Sequence, residues 1–258
     1  MRFRAKERRM IMKIFLHIGD SRTGTTTFQS MMMANRDVLL KHGIDYPRIA
    51  LLHPEKGIAQ HQLPFSLLPQ WPEFAPKAQI DRDEIWGKLK TYLQDTEEEA
   101  VLLSSEAFSS LSGDAVRFVK DFFAGHDVVP IFVYRDAKEW RRSMMEHLVK
   151  TGQARSIPEE QGNVQDKGLK KQQAWSEFFD VNVIEYGPDC LENILQVLGV
   201  GLDEMAQVER RNRQQDQVLM KLLKKLNKIP LVDGNRTQLN KTIINWYNRE
   251  IKSEEGGS

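Results

Sequence analysis

A three-layer α/β fold, with a central parallel sheet of about four to five strands flanked by helices, is the architecture this sequence predicts. Three observations lead to it. Strand-like and helix-like segments alternate along the chain, the pattern that lays helices over both faces of a parallel sheet. The strand-like segments are short apolar runs, Ala100 to Ser104 and Val128 to Tyr134 above all, as buried strands of parallel sheets are. Two chemistry-bearing stretches, His17 to Thr27 and Arg135 to Ser143, each follow directly on such a strand. The ligand crevice of an open parallel sheet lies at those carboxyl ends.

The elements follow in order. The first strand spans about Lys13 to Ile18, and a helix-like segment runs from Phe28 through Leu40 to about His42. His42-Gly43-Ile44-Asp45-Tyr46-Pro47 supplies Gly and Pro stop signals for that helix. Residues 47–76 hold six of the ten prolines and read as an irregular excursion, of a length that points to function or disorder. Asp81 to Gln94 places Ile85, Trp86, Leu89 and Leu93 on one helical stripe. A strand at Ala100–Ser104, a helix at Asp114–Ala124, a strand at Asp127–Tyr134 and a helix at Lys138–Lys150 come next. Gly152 to Gly168 is polar and rich in breakers, hence a loop. Leu169–Phe179 is helical, Val181–Tyr186 an edge-side strand, and Leu191–Leu198 a short helix closed by Gly199. Two helices, Val218–Leu226 and Thr237–Ile251, end the pattern.

The chain has 258 residues, 40% of them apolar and 28% charged, a balance that suits a globular domain. We expect one domain over residues 11–252, a basic extension at 1–10 and a frayed tail at 253–258. A net charge of +1 gives no global attraction to nucleic acid or to a membrane surface. No apolar run reaches the roughly 18 residues of a membrane span, and the N-terminus lacks the cleavage site of a signal peptide. Cys190 is the only cysteine, so no internal disulfide can form and a reducing, cytoplasmic setting is expected.

His17 to Thr27, HIGDSRTGTTT, carries the most chemistry. A strand followed by a Gly/Thr-rich loop and a helix start turns backbone N–H groups inward and adds the positive end of the helix, which makes a seat for a phosphate. Gly19 and Gly24 keep the G-x-x-x-x-G spacing of a P-loop, but Thr25-Thr26 stand where a P-loop kinase has Lys-Ser/Thr. The nearest cation is Arg22, two residues before Gly24. This P-loop-like seat, lacking the Walker lysine, argues against ordinary ATP hydrolysis. Taken without its neighbours, such a loop is more often a plain turn.

The second stretch gives the first its meaning. Arg135 leaves the end of the apolar strand, and Ser143 falls eight residues later, about two turns along the next helix. A forked, permanently charged donor and a short hydroxyl so spaced can converge on one phosphate.

These two elements resemble those by which PAPS-dependent sulfotransferases hold 3′-phosphoadenosine 5′-phosphosulfate (PAPS), and the chain is most similar to a bacterial branch of small, single-domain members. Asn35-Arg36, Gly43 to Pro47, Val101 to Glu106, Val183 to Tyr186, Leu195 to Val200 and Arg211-Asn212-Arg213 extend the resemblance across roughly Lys13 to Leu226. Two positions depart from the pattern. Ala137 replaces the usual proline of the second element, which mainly presets a helix start. Arg22 stands where the family usually has lysine, and arginine is bulkier and never gives up its proton.

The resemblance implies in-line transfer of a sulfuryl group from PAPS to a hydroxyl or amine of a carbohydrate or small-metabolite acceptor, leaving PAP and requiring no metal. It assigns Ser21, Arg22, Thr23, Gly24, Thr25, Thr26 and Thr27 to the 5′-phosphosulfate. Arg135 and Ser143 go to the 3′-phosphate, with Arg211 as a late contact. Arg22 is also the expected catalytic cation. Two residues occupy family base positions, His61 in the Pro-rich excursion and Glu106 at the end of a strand. We favour His61 as base with Glu106 orienting it or the acceptor, and His53 lies in the same loop. Residues 47–76 and 152–168 would build the acceptor side, with Trp71 and Phe74 lining a pocket or anchoring the loop, while residues 214–252 form the C-terminal helices. The competing readings are a nucleotide kinase with an unusual loop and a PAP- or nucleotide-binding regulatory protein without turnover. Neither the acceptor nor the oligomeric state is legible in the sequence.

Overall fold

The computed structural model describes residues 11–72, 75, 81–153, 166–208, 216–231 and 235–251. The chain forms two compact units, one of Met1–Arg135 with Asp166–Glu209 and one of Asp136–Gln165 with Arg210–Ser258. In chain order the elements are β1 (Lys13–His17), α1 (Thr25–Ala34), α2 (Arg36–Lys41), β2 (Ile44–Asp45), α3 (Gln62–Phe65) and α4 (Arg82–Asp95). Then come β3 (Ala100–Ser104), a 3₁₀ turn at Glu106–Ser110, α5 (Asp114–Phe122), β4 (Asp127–Tyr134) and α6 (Ala137–Lys150). They are followed by α7 (Lys167–Ser176), β5 (Asn182–Glu185), α8 (Cys190–Leu198), α9 (Gln217–Leu226) and α10 (Arg236–Trp246).

The first unit holds a five-stranded, all-parallel sheet in the order β2-β3-β1-β4-β5. Because β1 is central, all of it beyond Lys13 is buried. Phe15 packs on one side with Phe28, Met31 and Met32 of α1, Leu39 of α2 and Ile194, Leu195 and Leu198 of α8. Ile14 and Leu16 pack on the other with Trp86 and Leu89 of α4, Val116 and Val119 of α5 and Trp175 of α7. The alternation of side chains along a strand thus sorts one short apolar run between two cores, and the three-layer α/β fold is the result. Register brings the ends of β1 and β3 level, His17 opposite Ser104, while β4 continues past His17's partner Ile131 to Tyr134.

One local reading is corrected by the structure. The first helix is not continuous to residue 42 but breaks at Asn35. The Asn35 amide donates to the carbonyls of Met31 and Ala206, at 2.9 and 3.0 Å, and its carbonyl accepts from Ala206 N at 2.7 Å. A side chain that bonds backbone on both sides takes the place of the helical ladder. The helix does stop where Gly43 predicts, with α2 ending at Lys41 and Gly43 left-handed (φ 68°), and beyond it Ile44–Asp45 forms a strand not expected from sequence, pairing with Ala100 and Val101. Two residues are too few to leave a periodic signal. Within the Pro-rich excursion, Gln62–Phe65 forms a short helix.

In the second unit α6, α9 and α10 enclose Val149, Leu219, Met220 and Leu223. The buried Val149 carbonyl near the end of α6 accepts from Asn227 Nδ2 (2.8 Å) and Asn240 Nδ2 (3.1 Å) besides Gly152 N (3.1 Å). Lys221 and Lys225 lie on the solvated face of α9, as helical spacing opposite the leucines requires.

Candidate functional site

The loop from Ile18 to Gly24 leaves the centre of the sheet and turns into α1. Its first amide stays in the ladder, Ile18 N donating to Ile131 O at 2.9 Å. The turn is then made by two left-handed residues, Arg22 (φ 67°) and Gly24 (φ 81°). For Gly24 that conformation is free of penalty; for arginine it is rare and is held by the surrounding structure. Thr23, 3% exposed, donates its hydroxyl to Asp20 O and locks the loop from inside. Gly24 is the N-cap of α1, with no side-chain cap and no acidic residue in the first turn. The amides of Thr25 and Thr26 precede the first internal helix bonds and open from the helix end, where an anion is favoured.

The loop is tied to its neighbours by charge. Asp20, 3% exposed, accepts from Ser21 N (2.7 Å) and forms an ion pair with Lys171 Nζ of α7 at 2.7 Å. Arg135, one residue beyond β4, donates from Nη1 to Arg22 O at 2.7 Å, and its guanidinium lies 4.4 Å from the ring centroid of Tyr186. The Asp136 carboxylate caps α6 by accepting from Lys138 N and Glu139 N.

A second cluster forms at the end of β3, next to β1. Gln29, buried on α1, donates to Glu106 Oε2 (3.0 Å) and to Ser104 Oγ (3.2 Å). His61, at the start of α3, shares a 2.7 Å hydrogen bond between Nδ1 and Ser105 Oγ. Ser105 also accepts from Ala107 N at 3.3 Å, so it, and not Glu106, caps the turn that follows. Burial lowers the pKa of His61, and the negative charge of Glu106 partly opposes the shift. The imidazole is therefore neutral at neutral pH, with Nε2 as its remaining nitrogen. Phe65 stacks on its ring at 5.6 Å, and Trp71 meets Phe65 edge-on at 5.2 Å.

His17 underlies both clusters. It is fully buried, with Nδ1 2.7 Å from Ser104 Oγ and Nε2 without a hydrogen-bond partner beneath the loop. A Cβ on Gly19 would come within 2.8 Å of that Nε2, so only glycine lets the loop cross here. Burial holds the His17 imidazole down at about 3. Above about pH 6.5 the folded and unfolded chains both carry it neutral; below that, the unfolded chain takes up a proton that the folded chain refuses until about 3. Stability should therefore fall as pH drops, by about 2 to 3 kcal/mol between pH 6 and 4 from this residue alone. Urea denaturation across that range should show a shallower pH slope for His17→Gln, and equal slopes would show that this histidine does not set the acid limit.

The structure thus places Arg22, Thr23, Gly24, Thr25 and Arg135 around one loop, and His61 and Glu106 within one cluster bonded to α1. Ser143 is half-buried near the end of the second turn of α6, in the second unit. His53 is exposed, its carbonyl closing a turn onto Gly57. Arg211 and Phe74 lie outside the described residues. Gln29, Ser105, Lys171 and Tyr186 were not singled out from sequence. Lys171 and Asp20 are 151 residues apart, and no local spacing joins them. Among the described residues no group of three or more His, Cys, Asp or Glu side chains is placed to hold a metal ion, and no helix is long and apolar enough to cross a membrane.

No family model and no curated protein matches the chain. Among solved structures, retinol dehydratase in complex with androsterone and the inactive cofactor PAP is similar over 92% of this chain and 81% of that chain, at 15% sequence identity and a TM-score of 0.32. Retinol dehydratase in a complex with retinol and PAP matches over the same shares at 15% identity and a TM-score of 0.30. At TM-scores of this size the likeness says nothing about what this chain binds.

Proposed function

We propose that this protein transfers a sulfuryl group from PAPS to a hydroxyl of a carbohydrate or small-metabolite acceptor. The observation that carries the reading is the 2.7 Å hydrogen bond from Arg135 Nη1 to Arg22 O. It sets the arginine expected at a 3′-phosphate against the loop expected at a 5′-phosphosulfate. Bound PAPS would supply an activated sulfuryl group with a phosphate as leaving group. The loop residues Ser21 to Thr27 hold that phosphate through backbone amides and hydroxyls, and Arg22 offsets the charge that develops on it. Arg135 selects the 3′-phosphate. Neutral His61 accepts the acceptor's proton at Nε2, and Glu106, held by Gln29, stabilises the imidazolium that results.

Calorimetric titration with PAP and with ADP tests the nucleotide assignment. The protein should prefer PAP, and Arg135→Ala should reduce that preference by about 10- to 100-fold, the value of charge-assisted hydrogen bonds to a phosphate. General damage to the loop would weaken both nucleotides equally, so the ratio reports the 3′-phosphate. Equal affinity for PAP and ADP in the unaltered protein would overturn the reading.

A further inference from the structure

The phosphate loop contains an acid. Asp20 is 3% exposed, two residues before Arg22 and four before the helix cap. Its Oδ1 accepts from Ser21 N at 2.7 Å and Ser21 Oγ at 3.4 Å, so the carboxylate shapes the turn itself. A buried negative charge at the floor of an anion seat repels the anion it serves, and low local dielectric enlarges the effect. Against this, Lys171 Nζ meets the same oxygen at 2.7 Å from the first turns of α7. The lysine side chain is 26% exposed and the carboxylate 5%, so the pair is shielded from solvent on the loop side.

We propose that Lys171 is a positioning residue for anion binding: by neutralising Asp20 it leaves the loop amides and Arg22 as the net field felt by a phosphate or phosphosulfate. This deepens the sulfotransferase reading and rests on it for the identity of the ligand. The seat's own charge balance, however, concerns any polyphosphate. α7 is anchored independently of this pair, since Trp175 is fully buried and donates from Nε1 to Phe108 O at 3.1 Å. Loss of the lysine head group therefore leaves the helix in place and removes charge.

The test is a charge cycle read by calorimetry with two probes, inorganic pyrophosphate and PAP, on the full chain. Lys171→Met should weaken both by about tenfold, because the Asp20 charge is left uncompensated. Asp20→Asn keeps the oxygen that accepts from Ser21 N and removes the charge. The double substitution Asp20→Asn with Lys171→Met should recover most of the loss, which damage to packing would not allow. Lys170→Met removes an exposed lysine of the same helix and should leave both affinities unchanged. Unchanged affinity in Lys171→Met, or a double variant no tighter than Lys171→Met, overturns the proposal. Failure of the parent reading looks different: pyrophosphate follows the cycle while PAP shows no advantage over ADP. No binding of either probe by the unaltered protein overturns both.

Discussion

His61→Ala should slow sulfuryl transfer by about 10²- to 10⁴-fold, the range spanned by positioned general bases. PAP affinity should hold within about twofold, because the phosphate contacts proposed above belong to the loop and Arg135. The reason lies in the environment of the ring. Burial disfavours the imidazolium in the free protein, which keeps the base neutral and ready, while Glu106 restrains the shift and favours the imidazolium once the proton arrives. The rate should accordingly be flat at neutral pH and fall only below the ordinary histidine range of about 6.5. Stopped assays with labelled PAPS against pH would show this acid limb in the unaltered protein and its absence in His61→Ala. If Glu106→Gln loses the rate and the limb while His61→Ala keeps both, the carboxylate is the proton acceptor and the roles assigned here are reversed.

Trp175→Ala should destabilise the first unit by about 3 to 5 kcal/mol, the range for truncating a buried aromatic. Trp175 is fully buried, meets Phe108 edge-on at 6.2 Å and stacks on Phe179 at 5.6 Å. Its removal also loses the indole N–H bond to the Phe108 carbonyl, which keeps its bond from Leu111 N at 3.0 Å, at a further cost of about 0.5 to 1.5 kcal/mol. Urea denaturation measures the loss. Trp175→Phe separates its parts, since it keeps an aromatic ring in the core while losing the hydrogen bond and part of the indole volume, and should fall at about 1 to 3 kcal/mol. A loss below about 1 kcal/mol for the alanine variant would show that α7 contributes little to the core. The residue matters for the site because the same helix carries Lys171, and the carbonyl it fixes sits two residues after Glu106.

How much of this could be read from the chain differs residue by residue. Ala100–Ser104 and Asp127–Tyr134 are strands with the bounds expected of them, because buried parallel strands are apolar throughout and their ends are abrupt. Arg22, Glu106 and Arg135 could be picked out because each stands just beyond an apolar strand, and parallel strands bring those ends to one edge. The break at Asn35 was hidden: its cause is the backbone of Ala206, far along the chain. β2 was hidden for the opposite reason, being two residues whose partner strand alone makes them extended. The Asp20–Lys171 pair and the bond from Gln29 to Glu106 are tertiary products with no periodicity to announce them. Nothing local to His17 shows that its ring is buried with one nitrogen left without a hydrogen-bond partner under the loop.

The position of β1 has a consequence for the making of the protein. The strand lies between β3 and β4 and pairs with both over its own length, so Ile14, Phe15 and Leu16 have no strand partner until Ala100–Ser104 and then Asp127–Ile131 have left the ribosome. At synthesis rates of about 5–20 residues per second, that interval is on the order of ten seconds. For that time the nascent chain presents an apolar, unpaired strand of the kind that other chains can capture, and recovery of folded protein should depend on chaperone supply more than on the final stability of the sheet.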